Sequence, residues 1–191
     1  MHGTIDLAGE SQQRAAREKA QSIPLDDFDV SHPETNGMID YFVRPMAGIE
    51  TVLSRQELQS FRSRPGFAFR TQPAGVVRGP ITEGQLDLPR TYDGVKSLTG
   101  APLKFTVTSP YMLAKTVGDA YYGSLEELVM ALADALAEAV RGIEADIIQV
   151  DEANVTGHAE DGPLAAAGIN RILSQVAREK AVHLCFGNYG G

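Results

Sequence analysis

The chain has a single cysteine, so no internal disulfide braces it, and this usage fits a reducing cytoplasm. No apolar run is long enough to span a bilayer. The opening Met-His-Gly-Thr-Ile-Asp lacks the basic-then-apolar pattern of a secretion signal. Positive charge is also short: 17 Lys and Arg stand against 25 Asp and Glu. The resulting net charge of −8 argues against nucleic acid or an anionic membrane as the main partner. Internal repeats and low-complexity tracts are missing. No Gly-x-Gly-x-x-Gly or Walker loop follows an apolar segment, which weighs against the common nucleotide-binding folds. What these absences leave is a soluble, cytoplasmic globular chain of 191 residues, one domain or part of one.

Residues 1–35 read as a poorly anchored N-terminal segment. Residues 11–21 (SQQRAAREKAQ) form helix readily but carry almost no apolar stripe. His32 and Glu34 fall in a Pro/Asn/Gly loop, where solvation is a better reading than metal binding. From residue 36 a single domain is expected to run to the end. Residues 38–43 are apolar and stop at Arg44-Pro45. Ser54 and Glu57 have capping-box spacing, which predicts a short helix from about residue 55. Residues 67–77 alternate around Pro73 and Gly75, suggesting short strands and a hairpin with the segment near Ile81. Arg62, Arg64, Arg70 and Arg78 make this stretch locally basic, which reads as a solvated face or as a place to meet an anionic substrate tail.

The second half is more regular. Residues 103–109 are rich in β-branched side chains and predict a strand, with Pro110-Tyr111 as its exit turn. Ser124 and Glu127 cap a helix whose stripe is Leu125, Leu128, Val129, Leu132, Leu136 and Val140, ended by Gly142. A short strand at residues 146–150 precedes Asp151 and Glu152. Asp161-Gly-Pro163 then starts a helix reaching about Arg178, and residues 181–185 form a last strand. Alternating strands and helices with short connections imply parallel strands, in a doubly wound sheet or a barrel. Polar residues gather at the strand C-termini, where barrel enzymes keep their chemistry. The expected fold is therefore α/β, an incomplete (β/α)8 TIM-type barrel, because only three or four parallel strands are legible.

His183 and Cys185 lie two apart at the end of the last strand, so they share one face, about 7 Å apart along it. Imidazole and thiol together suit zinc, although a buried Cys packed as a small hydrophobe fits the same pattern.

Three stretches carry a family resemblance: Lys104-Phe-Thr-Val-Thr-Ser-Pro-Tyr111, Ile147-Ile-Gln-Val-Asp-Glu152 and His183-Leu-Cys185. In order and spacing they resemble the catalytic domain of cobalamin-independent methionine synthase and its shorter relatives, over roughly residues 37–191. The resemblance implies a (β/α)8 barrel with a catalytic zinc, and methyl transfer from 5-methyltetrahydrofolate to the sulfur of homocysteine in the cytoplasm. It makes His183 and Cys185 the first two zinc ligands. Asp151 becomes the substrate-binding carboxylate for the amino group of the amino acid. Ser109 and Glu152 enter as further substrate-binding candidates from the matched motifs. The family's downstream carboxylate and second Cys have no counterpart here, so Asp151, His158 or a second subunit would have to complete the zinc site. The expectation is thus a gene fragment or split subunit. A related alkyl transferase acting on another small thiol, and a non-catalytic subunit that associates through an open barrel edge, stand beside it.

Overall fold

The computed structural model describes residues 3–5, 37–63 and 72–185. The expectations for residues 11–21, for His32 and Glu34, and for Arg64 and Arg70 lie outside the described residues.

Strand β1 (Gly3–Ile5) runs parallel to a later strand, pairing Gly3 with Leu103 and Ile5 with Phe105. After it come a short helix α1 (Asp40–Val43) and strand β2 (Ala47–Glu50). Helix α2 (Arg55–Arg62) follows. Its N-terminus has the expected capping box, with the Glu57 amide donating to Ser54 Oγ and the Ser54 amide donating to Glu57 Oε2.

Strand β3 (Val76–Thr82) corrects the expected hairpin. Val76 and Ile81 belong to one continuous strand, and its antiparallel partner is upstream β2. The pairing slips between Ala47 and Ile49, and this irregularity accommodates Pro80, which has no amide hydrogen to give. Gly48 takes a positive φ of 82° there, and a Cβ on it would lie 2.3 Å from the Pro80 carbonyl oxygen. Arg78 is not a spare cation: it pairs with Glu50 at 3.0 Å and with Glu57, tying α2 to β3.

Helix α3 (Leu88–Lys96) was not expected from the sequence. Its signals were short-range: Asp87 accepts from the Arg90 amide, and Pro89 sits in the first turn. The regular half then begins with β4 (Leu103–Thr108), α4 (Pro110–Ala114), the two-residue strand β5 (Gly118–Asp119) and α5 (Leu125–Ala139). It continues with β6 (Ile147–Glu152), α6 (Gly162–Leu173) and β7 (Glu179–Leu184). Asp151 and Glu152 are thus the last residues of a strand rather than the start of a loop. The last helix also stops short of Arg178.

Two sheets result. One has the order β1-β4-β6-β7, parallel throughout; the other, β2-β3-β5, contains the antiparallel pair. The molecule is a mixed α/β protein with parallel strands. Side chains alternate along β4 and β6, so the four-stranded sheet has two unlike faces. Phe105, Val107, Ile148 and Val150 face the helices and join one core with Leu128, Leu132, Leu136, Ile169 and Ile172. Fully burying each such aliphatic side chain contributes about 1.5–3 kcal/mol. Helix α6 comes very close to α4: a Cβ on Gly168 would stand 2.7 Å from Pro110 Cγ and 3.2 Å from Val129 Cγ1. That contact sets the height of the connection after β4. The opposite face carries Lys104, Thr106, Thr108, Gln149, Asp151, Ala181 and His183.

Among the described residues, no helix is long and apolar enough to cross a membrane.

Candidate active site

The parallel register decides which residues meet. Thr108 pairs with Asp151 and Asp151 with His183, so these three form one row across β4, β6 and β7, on the polar face. The Cys185 amide donates to the Glu152 carbonyl at 2.9 Å and carries the strand pairing one step further. Asp151, His183 and Cys185 therefore lie together at the C-terminal ends of neighbouring strands.

Ser109 and Glu152 go elsewhere. One residue on from Thr108 and Asp151, they fall on the helix-facing side, and both are fully buried. The Ser109 hydroxyl donates to Glu152 Oε2 and accepts from the Met112 amide at 3.1 Å, which caps α4. Glu152 Oε1 accepts from the amides of Asn154 and Val155 at 2.5 and 2.9 Å. A buried carboxylate with this many donors is satisfied. It fastens the exit of β4 to the loop after β6.

A second tie holds the same two connections. The Tyr111 hydroxyl donates to Asp161 Oδ2 at 2.6 Å, and Lys115 Nζ lies 3.3 Å from that oxygen. Burial, followed by the bond to Asp161, pushes the Tyr111 phenol far above its ordinary range. In return the Tyr111 hydroxyl, with Lys115 beside it, holds the Asp161 carboxyl below its usual range. His158, Glu160 and Asp161 bring their ligand atoms within 4.8 Å of one another, the one such trio found among the described residues. Asp161 is already engaged by a hydroxyl and an ammonium there, which leaves the trio a poor cation cage.

The donor types of His183 and Cys185 suit zinc, and strand alternation gives both the face of Asp151. Their number is one short of the three protein ligands usual for a catalytic zinc. Among the described residues no third His, Cys or carboxylate joins them at ligand spacing.

Two residues of this face were inside the sequence motifs but received no role from them. Lys104 Nζ donates to Gln149 Oε1 at 2.8 Å, and Gln149 Nε2 donates to Asp151 Oδ1 at 2.6 Å. The available signal was parity: Lys104, Gln149 and Asp151 alternate with buried apolar residues and so share the face of Asp151.

Fold and site together define a mixed α/β protein with polar and metal-type side chains gathered where its parallel strands end. No protein-family model matches the chain. It is similar to the methionine synthase of Pyrococcus furiosus, 31% identical over 90 residues, covering 46% of this chain and 27% of the relative. It is similar to that of Saccharolobus solfataricus, 31% identical over 127 residues, covering 65% and 38%. The 2-hydroxypropyl-CoM lyase of Xanthobacter autotrophicus is 30% identical over 122 residues, covering 62% and 32%. Among solved structures, the fold is like that of a B12-independent methionine synthase from Shewanella, in complex with selenomethionine. The TM-score is 0.67 at 20% identity, covering 91% of this chain and 50% of that one. The matches span no more than 38% of these curated relatives. The resemblance carried by the three motifs is borne out: the chain is like part of a cobalamin-independent methionine synthase.

Proposed function

We propose that the chain is part of a zinc-dependent methyltransferase of the cobalamin-independent methionine synthase type, built as an incomplete (β/α)8 barrel over residues 36–191. The polar face of the four-stranded sheet is then the barrel interior. The observation that carries the reading is the row Asp151–His183 across adjacent parallel strands, with Cys185 following on. The reaction would move the methyl group of 5-methyltetrahydrofolate to the sulfur of homocysteine, giving methionine.

His183 and Cys185 would hold zinc, whose contribution when bound is to keep a substrate thiol deprotonated near neutral pH. Asp151 would receive the ammonium of the amino acid and fix the sulfur relative to the methyl donor. Ser109 and Glu152 would act on substrate binding by holding the two connections that border the pocket. The remaining ligand, and the rest of the barrel wall, would come from a missing segment or from a second subunit or second copy meeting β7. Among the described residues β7 has a neighbour on one side only, and such an edge is a template for further pairing.

Zinc analysis of the purified protein, after dialysis against a weak chelator, tests this. One zinc per chain that is lost in Cys185→Ser supports the reading; metal content unchanged by Cys185→Ser overturns it. The match to 2-hydroxypropyl-CoM lyase, over 122 residues, lies within the range of those to the methionine synthases, 90 to 127, and it favours a second reading: alkyl transfer to or from a different small thiol. Competition between homocysteine and other thiols separates the two.

A further inference from the structure

Asp151 is held through a hydrogen-bond chain whose direction is fixed at both ends. The ammonium of Lys104 is a donor only, and an ionised carboxylate is an acceptor only. Gln149 lies between them and has both kinds of atom. Its carbonyl oxygen must therefore face Lys104, at 2.8 Å, and its amide nitrogen must face Asp151, at 2.6 Å. Turning the amide over would set nitrogen against ammonium and oxygen against carboxylate, so one orientation wins decisively. All three side chains are partly buried, which limits how far water can replace these bonds.

The placement is economical in backbone terms. Gln149 and Asp151 are two apart on β6 and share a face, while Lys104 reaches across from β4, one pleat below Thr106, the register partner of Gln149. Both strands are paired on either side, so the chain rests on the best-supported part of the sheet. Its last acceptor, Asp151 Oδ1, lies in the row that contains His183.

We propose that Gln149 is the positioning residue of Asp151, with Lys104 as the anchor that sets the Gln149 amide, and that this pair makes the site selective for a thiol bearing an amino group. The proposal rests on the reading that Asp151 receives a substrate ammonium. Neither Lys104 nor Gln149 touches the substrate: they act by keeping one carboxylate oxygen tied, and so the carboxylate plane oriented, before the ligand arrives.

The test is calorimetric binding of homocysteine and of 4-mercaptobutyrate, which is homocysteine without its amino group, to the full chain and its variants. The wild type should prefer homocysteine. Gln149→Leu should weaken homocysteine binding about tenfold, the loss of one charge-assisted hydrogen bond's worth of orientation, and leave 4-mercaptobutyrate unchanged. Lys104→Met should do the same to a smaller degree, and Lys104→Arg should restore it. Equal weakening of both ligands would show a merely structural role and overturn the proposal. Wild-type binding in Gln149→Leu and Lys104→Met, with loss only in Asp151→Asn, would overturn it while leaving the reading of Asp151 intact. A wild type that does not distinguish the two thiols would sink that reading, and the proposal with it.

Discussion

Strands β6 and β7 are neighbours in one register, yet they live in different surroundings. Val150 is 0% exposed and its partner Val182 is 48% exposed; Glu152 is 0% exposed and its partner Leu184 is 47% exposed. The residues are alike in propensity, so composition does not separate the strands. What separates them is company: among the described residues β6 has a strand on each side and helices α5 and α6 against its apolar face, whereas β7 has β6 alone. The candidate site straddles this boundary. Asp151 stands on the braced strand and is held by Gln149, while His183 stands exposed on the unbraced one. The carboxylate half of the site is organised in advance, and the ligand half depends on what β7 meets.

The strongest way to break the comparison is at Glu152. Glu152→Leu would leave the Ser109 hydroxyl and the amides of Asn154 and Val155 without their acceptor. A loss of about 3 kcal/mol or more is expected, read from denaturant unfolding. The equivalent change on the other strand, Leu184→Ala, should move stability by less than about 0.5 kcal/mol. A loss at position 184 as large as that at 152 would mean that β7 is as well braced as β6.

The valine pair gives a cleaner version with less chemistry. Val150→Ala should cost about 2 kcal/mol through the cavity it leaves, and Val182→Ala should cost almost nothing. If β7 pairs with another chain in solution, Val182→Ala should instead weaken association, visible as a concentration-dependent shift in sedimentation.

Acid sharpens the contrast from a third direction. Asp161 has a folded value depressed by the Tyr111 hydroxyl and by Lys115. Its stabilising contribution is present in full above the unfolded aspartate value, about pH 4, and fades as pH falls through the lower folded value. Asp161→Asn should therefore lower stability at pH 7 and flatten its decline in acid, measured by thermal unfolding across pH. Tyr111→Phe should show the same flattening, because the principal cause of the depression is gone.

The smallest expected effect on fold is at the metal pair. Cys185→Ser should change unfolding free energy by less than about 0.5 kcal/mol while removing bound zinc.

The sequence was legible where local chemistry and tertiary structure agree. The α5 stripe, the capping box at Ser54, the N-cap at Ser124, and the β4 and β7 segments all appear close to where the sequence placed them. It misled where a local signal had two meanings. The hairpin expected between residues 67–77 and the segment near Ile81 is such a case: the register against β2 shifts opposite Gly48, with the extra residues on β3, and Val76–Thr82 runs on as one strand. Asp87 and Pro89 open a helix whose stripe is only three residues long, Leu88, Tyr92 and Val95, with Gly94 inside it. At the site, strand parity gives the shared face of His183 and Cys185, and the same parity applies along β4 and β6. There it separates Asp151 from Glu152 and Thr108 from Ser109, and sets Lys104 and Gln149 on the face of Asp151. The bonds of Glu152 to the loop after β6 and to Ser109 depend on two loop conformations, which no pattern in a single sequence encodes.

That two adjacent carboxylates face opposite ways has a consequence for how this protein can vary. Deleting or inserting one residue inside β6 would exchange them, sending the Asp151 position among the helices and the Glu152 position to the polar face. Both would be wrong at once: a buried charge without its donors, and a ligand carboxylate without its glutamine. Length changes in this region are therefore confined to residues 156–160, between the amides that Glu152 binds and the carboxylate that Tyr111 binds. The fold of this chain tolerates substitution at the exposed Val182 and Leu184 of β7, but the length of β6 is effectively frozen.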